Sequence, residues 1–301
     1  MRSRRALRAV AVLPLLLALL LAPPLARAVP PGRPPALTVL VTPTAPRQGD
    51  MVFVLVTGAQ NARQVEGSLD GRPLTFFPYG ESWAAVVGVD LEAAPRKGTW
   101  RVGVIDAAGA AQQKAGTVTI RRRTFPEQRL SLPDYMVDLD PESERRANAE
   151  AAQLRTLYDS ATPERFWQGR FTLPVAVEGP GSGFGSRRVI NGKPRSPHGG
   201  TDWSADRGTP VVAANRGRVA LVGDFFFGGR LVVLDHGLGL YTLYMHLDRV
   251  DVAEGAIVTR GETLGVVGST GRATGPHLHF QVQAGRARID PATLFALPVG
   301  D

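Results

Sequence analysis

The chain has 301 residues with 34 glycines, 24 prolines, no cysteine and a formal net charge of +8. The missing cysteines exclude a disulfide framework, a thiol nucleophile, a cysteine-built zinc site and a lipid-modified N-terminal cysteine, so any metal must be held by histidine and carboxylate. The length suits two compact domains, and the glycine and proline content favours β structure with many turns.

Residues 1–28 read as an export leader: MRSRRALR is a basic start, AVAVLPLLLALLLAPPLA an apolar run, and ARA at 26–28 a small-residue cleavage signal. The protein is therefore expected to be exported, to the periplasm or the extracellular cell wall. An uncleaved N-terminal anchor is the alternative. Pro14, Pro23 and Pro24 count against a membrane span, which needs about 20 apolar residues. The leader carries five of the 35 basic residues and no acid, so the remainder has 30 basic against 27 acidic residues, a net +3. That balance excludes a strongly basic nucleic-acid binder and leaves room for an anionic polymer such as cell wall.

Residues 29–36 are a Pro-rich spacer. From 37 to 122, short apolar runs alternate with turn signals: LTVLVTP, MVFVLVTG, LTFFPYG, WAAVVGV, TWRVGVID and GTVTI. Six or so strands in this space predict an immunoglobulin-like β-sandwich. It contains no histidine. Residues 123–170 read as a linker or extended arm followed by a helix, with Asp140 as N-cap, Pro141 at the first helical position and an end near Ser160. From 171 to 298 the pattern returns to short strands, beginning with FTLPVAVE. The predicted class is thus all-β, in two parts joined by one helix.

All five histidines lie in this last region. His198 and Asp202 form H-x-x-x-D within SPHGGTDW, His236 sits in LDHGLG, His246 in YMHLD, and His277 and His279 in GPHLHF. In extended chain, residues of one parity share a face. His198 and Asp202 can then converge with His279 from a neighbouring strand on one cation, as a three-ligand catalytic zinc site with an open fourth position requires. His277 falls beside the metal, where a neutral imidazole could accept a proton from water or an imidazolium could stabilise an oxyanion. His246 could share that work from another strand, and the pattern assigns the proton to neither. His236, followed by Gly237, reads as structural. Each short motif alone is weak. Their concentration in one β region raises their weight.

The ordered blocks FGSRR, HGGTDW, GTPVVAANRGRV, LDHGLGLYTLYMHL, GETLGVVGSTG, TGPHLHFQV and IDPATL are far more specific. Over about residues 180–297 the chain resembles the lysostaphin/LytM-type zinc endopeptidases, which cut peptide cross-links of bacterial peptidoglycan. The resemblance implies a small β-sheet groove, zinc held by His198, Asp202 and His279, and His246 and His277 as catalytic residues. It leaves open a Gly-Gly bridge or a D-alanine to diaminopimelate link as the bond cut. Non-catalytic relatives that bind the wall or activate amidases are the alternative, but they typically lack metal ligands that are intact here. Two departures stand out. Several family members carry an oxyanion-stabilising tyrosine before the first ligand, whereas FGSRRVINGKPRSP has none. Arg187, Arg188, Asn191, Lys193 and Arg195 are the candidates to serve the substrate there. Gln281 also stands where many members have glutamate. The N-terminal domain is expected to position or regulate the peptidase groove through contact with it.

Overall fold

The structure is a computed structural model that describes residues 36–177, 179 and 181–299. The leader expected over residues 1–28 and nearly all of the Pro-rich spacer lie outside the described residues. No described helix is long and apolar enough to cross a membrane.

Eight strands make up the N-terminal part: β1 (Thr38–Thr42), β2 (Met51–Thr57), β3 (Ala62–Leu69), β4 (Arg72–Pro73), β5 (Phe77–Tyr79), β6 (Ser82–Gly88), β7 (Arg96–Asp106) and β8 (Ala111–Ile120). They form two four-stranded sheets, ordered β1-β2-β6-β5 and β4-β3-β7-β8, the strand arrangement of an immunoglobulin-like sandwich. Strand β3, with sequence ARQVEGSL, is absent from the sequence-based list because most of its side chains are polar and partly exposed. It is recruited by pairing with β7, a tertiary effect that outweighs its weak local pattern.

The run MVFVLVT is nearly uniformly apolar for a physical reason. Val52, Val54 and Val56 fill the sandwich core. The alternate residues Met51 and Phe53 join the core of the C-terminal part, together with Phe77 and Ala84. The sheet containing β2 is therefore buried on both faces, which removes the usual apolar/polar alternation. Gly88 on β6 makes this contact close, since a Cβ there would stand 2.5 Å from Ile289 Cδ1. Arg288 closes the seam by donating to Asp90 from Nη2 at 2.9 Å and from its backbone N–H at 2.9 Å.

The connecting segment begins with β9 (Glu127–Leu130) and continues to α1 (Pro141–Asp159). Asp140 caps the helix, its Oδ1 accepting from the backbone N–H groups of Glu142 and Ser143, as the Asp-Pro signal predicts. Leu154, Leu157 and Tyr158, at helical spacing, pack on Leu221, Leu231, Val233, Tyr241 and Leu243.

The C-terminal part contains β10 (Arg187–Ile190), β11 (Lys193–Pro194), β12 (Thr201–Ser204), β13 (Pro210–Val212), β14 (Gly217–Phe225), β15 (Gly229–Gly237), β16 (Leu240–Val250), β17 (Ile257–Val258), β18 (Thr263–Val267), β19 (His277–Ala284) and β20 (Ala287–Ile289), then the short helix α2 (Pro291–Phe295). The main sheet runs β12-β19-β16-β15-β14-β17, with β13, β18 and β20 attached. Its strand β19 turns Leu278, Phe280 and Val282 into the core shared with the sandwich. The other parity of β19, carrying His277 and His279, opens to the face that α1 covers elsewhere.

A second small sheet, β11-β10-β9, pairs the connecting arm in parallel with Arg187–Ile190. Over residues 171–177 the expected strand FTLPVAVE is instead a loop with a bend at Pro174 and a single bridge, Val175 to Val211. Pro174 lacks the N–H that a continuous ladder would need.

Phe53 is 4% exposed and reports on the seam between the two parts. Phe53→Ala is expected to destabilise the protein by about 3–5 kcal/mol, read as a lower denaturation midpoint in guanidinium chloride.

Candidate active site

Strand β12 lies antiparallel to β19 with Asp202 directly opposite His279. His198 precedes β12 in a loop whose backbone is tied down on both sides: its N–H donates to the Ser186 carbonyl at 2.9 Å, and its carbonyl accepts from Gly185 at 2.8 Å. The result is a triangle of donor atoms. His198 Nε2 is 2.9 Å from His279 Nδ1 and 3.2 Å from Asp202 Oδ1, and His279 Nδ1 is 2.8 Å from the same oxygen.

These separations fit a cation. A tetrahedral zinc ion with ligands at 2.0–2.1 Å requires ligand–ligand distances of about 3.3 Å. Two imidazole nitrogens and a carboxylate oxygen converge here with their lone pairs, and all three atoms lie within 4.8 Å of one another. His198 is 1% exposed. Its Nδ1 has no hydrogen-bond partner among the described residues, so the triangle is its ring's polar contact. Burial tends to raise the Asp202 pKa, but hydrogen bonds and charge from His198 and His279 outweigh it and hold the carboxyl well below the usual carboxylate range. Burial lowers His279 against the pull of Asp202, favouring the neutral ring that a metal ligand must be.

Two glycines leave room for these rings. At Gly183 (φ +92°) a Cβ would stand 2.6 Å from His198 Nδ1. At Gly200 it would meet the Phe280 carbonyl oxygen at 2.4 Å and His279 Nε2 at 2.8 Å.

Two further histidines stand beside the triangle. His246 and His277 have ring centroids 4.7 Å apart, and His246 lies 5.9 Å from His279. Alternation along β16 would put His246 on the same face as Tyr244, in the core. A β-bulge prevents this. Between the pairs Val232–Tyr244 and Arg230–Leu247, β16 advances one residue more than β15. His246 occupies the extra position with φ +64°, a left-handed conformation that costs a non-glycine residue energy and clusters at functional sites. Leu247 then resumes the core side.

Nδ1 of His246 lies 2.8 Å from the Thr270 carbonyl and Nδ1 of His277 lies 2.8 Å from the Gly275 carbonyl. A carbonyl only accepts, so both rings carry their proton on Nδ1 and, when neutral, present an unprotonated Nε2. Burial, and then the charges of His279 and His277, push His246 down to about 3, so it is neutral near pH 7. His277 Nε2 is 3.9 Å from Asp202 Oδ1.

His236 is not part of this group. It is fully buried in β15, with Nδ1 2.8 Å from the Arg216 carbonyl and Nε2 2.8 Å from Thr242 Oγ1, a structural placement. The other four histidines and Asp202 come together. Asp202, His246, His277 and His279 line a groove of about 440 Å³. Its walls include residues that sequence reasoning missed: Gln128, Leu130 and Leu132 from the arm, Phe227, and Arg272 on the loop before β19. No sandwich residue is among the described residues lining it. Strand β9 carries no motif, and its place at the groove follows only from its pairing with β10.

A groove with a three-donor cation site and two histidines of fixed tautomer is the arrangement of a metal-dependent peptidase. Comparison with known proteins gives the family. The profile described as Peptidase family M23 matches residues 196–291. A solved peptidase M23 structure from Pseudomonas aeruginosa is 31% identical, with a TM-score of 0.63, over 83% of this chain and 95% of its own. The chain belongs to peptidase family M23.

Among curated relatives, the peptidoglycan DD-endopeptidase ShyB of Vibrio cholerae is 36% identical over 123 residues, 40% of this chain and 29% of its own length. The DD-carboxypeptidase/endopeptidase Mpg of Neisseria meningitidis is 43% identical over 101 residues, 34% of this chain and 23% of its own. These matches span less than a third of each relative.

The glycine contacts make a testable claim about the triangle. Gly200→Ala is expected to weaken the affinity of the triangle for a divalent cation by about 10- to 100-fold, the range seen when a ligand's supporting shell is disturbed. Competition with a chromogenic chelator measures it.

Proposed function

We propose that this chain is an exported zinc metalloendopeptidase that hydrolyses peptide cross-links of bacterial peptidoglycan. The observation that carries the reading is the three-donor triangle beside two histidines whose Nδ1 atoms are tied to carbonyls. The family, and relatives named as peptidoglycan endopeptidases, support the substrate class. The leader-like sequence at residues 1–28 supports export to the periplasm or cell wall.

In this reading His198 Nε2, Asp202 Oδ1 and His279 Nδ1 hold the metal. Zinc bound there supplies a Lewis acid for the scissile carbonyl and brings the pKa of water down to about 7. The chain's own residues do the rest. Asp202 stays ionised and offsets part of the cation's charge. His277 and His246 present Nε2 to the groove, where one takes a proton from the attacking water and the other hydrogen-bonds the developing oxyanion or returns the proton to the leaving amine. Near neutral pH, His246 starts as the base form because burial disfavours its imidazolium. The groove's apolar walls, Leu130, Leu132 and Met245, exclude water around the bond.

The N-terminal part has a positional role in this reading. The sandwich is packed on the far side of the main sheet, and its connection to the groove runs through the arm at β9. A regulatory contact would act through that arm.

Hydrolysis of purified peptidoglycan, with products identified by mass spectrometry, tests the reading. Chelation is expected to abolish peptide release and added zinc to restore it. His277→Ala should lower kcat by about 10²- to 10⁴-fold while binding one zinc per chain by atomic absorption. Asp202→Ala should lose both zinc and activity. Full activity in His277→Ala would remove that residue from the chemistry.

A further inference from the structure

The loop before the first ligand offers five polar candidates for the substrate, and the structure separates them. Arg187 is exposed outside the groove lining. Asn191 is engaged with Leu132, donating to its carbonyl at 2.8 Å and accepting from its N–H at 3.0 Å. Lys193 and Arg195 are paired with Asp138 at 2.7 and 3.3 Å. Arg188 differs. It lines the groove, and its closest contacts are long: Nε to Gln128 Oε1 at 3.4 Å and Nη2 to Asp202 Oδ2 at 3.9 Å.

Arg272 lines the same groove from the loop that leads into His277. Its guanidinium lies over the Phe227 ring at 4.1 Å, a stacking that fixes its plane. Its hydrogen bond, from Nη1 to the Met136 carbonyl, is also long at 3.4 Å. Among the described residues that line the groove, Asp202 is the single carboxylate, and its Oδ1 is committed to the histidine triangle. Two half-buried guanidiniums thus share a groove whose one carboxylate among the described lining residues already serves the histidine triangle and reaches Arg188 only at 3.9 Å. Their mutual strain is visible in Arg272: burial first, then the charges of Arg188 and Arg195, lower its pKa to about 10. It remains charged at neutral pH.

We infer that Arg188 and Arg272 form a carboxylate-binding subsite that reads a free carboxylate on the carbon attached to the scissile nitrogen. The inference rests on the hydrolase reading above and names its substrate class. Planar guanidiniums match a carboxylate through paired N–H donors. Arg188 faces Asp202 at 3.9 Å and Arg272 lies on the groove-lining loop that leads into His277, so an anion held by both would sit beside the bond that is cut. A D-alanine to diaminopimelate link meets that requirement, because the carbon bearing the leaving amine also bears a carboxylate. A D-alanyl-D-alanine chain end meets it too. A glycine bridge places no charge there.

The experiment compares three synthetic substrates with the zinc-loaded protein: a diaminopimelate cross-linked peptide dimer with that carboxylate free, the same dimer amidated, and a stem peptide ending in D-alanyl-D-alanine. The free dimer is expected to be cleaved with at least tenfold higher kcat/KM than the amide, chiefly through KM. Arg188→Gln and Arg272→Gln should each move that ratio toward one. Cleavage of the third substrate would identify the chain end as a second source of the same carboxylate, and its resistance would restrict the subsite to cross-links; both agree with the subsite. Equal kcat/KM for the free and amidated dimers, or an unchanged ratio in both variants, would overturn it. The wild-type ratio needs no variant to fold. If no substrate is cleaved, the hydrolase reading fails instead, and calorimetric binding of the two dimers still reads the subsite: equal affinities overturn it and a free-acid preference supports it.

Discussion

The pairing of β12 with β19 is the constraint on which the rest depends. It sets Asp202 opposite His279, so a carboxylate and an imidazole from positions 77 residues apart share one buried spot. A slip of β12 by one residue against β19, which β16 also holds, would turn Asp202 into the core and bring Trp203 to the groove. The register is held by what lies on the other side of the same strands. Trp203, Leu278 and Phe280 are packed in the large core, and a one-residue slip of their strand would expose them. The stability of the core and the geometry of the site are therefore two faces of one sheet.

The sandwich contributes to this arrangement indirectly. Its outer face supplies Met51, Phe53, Phe77 and Ala84 to the same core, and the Asp90–Arg288 pairing fastens β20 next to β19. On the opposite face, α1 covers the apolar end of the sheet. Tyr241 locks the end of the helix by donating to the carbonyls of Leu157 and Ser160 at 3.0 and 2.6 Å. The uncovered remainder of that face is the groove. Helix, sheet and arm together decide how much of the sheet stays open, and where.

Charge in the groove is arranged in two zones. The triangle gathers lone pairs and one ionised carboxylate, which suits a divalent cation. Arg188 and Arg272 gather positive charge beside it, with Asp202 as the one carboxylate among the described lining residues. Asp202 stands between the zones, with Oδ1 toward the histidines and Oδ2 toward Arg188. Such an arrangement is costly in an empty low-dielectric groove and becomes favourable once a cation and an anion are bound.

Much of this was legible in the sequence because it depends on local pattern. The parity of His277 and His279, the spacing of His198 and Asp202, and the Asp140–Pro141 helix start are all set by neighbours within a few residues. The immunoglobulin-like pattern was readable for the same reason, apart from the polar strand β3. What the tertiary structure decided are the features that need a partner strand or loop. His246 reaches the groove only because β16 gains one residue against β15, and that bulge exists in the pairing, not in the run YTLYMHL. The arm at Gln128–Leu132 forms a wall because β9 finds β10. Arg188 was one of five candidates until the other four were engaged elsewhere or turned outward, and Arg272 had no motif to announce it. Local sequence sets which face a side chain takes along its own strand; only the register between strands sets which other side chains it meets there.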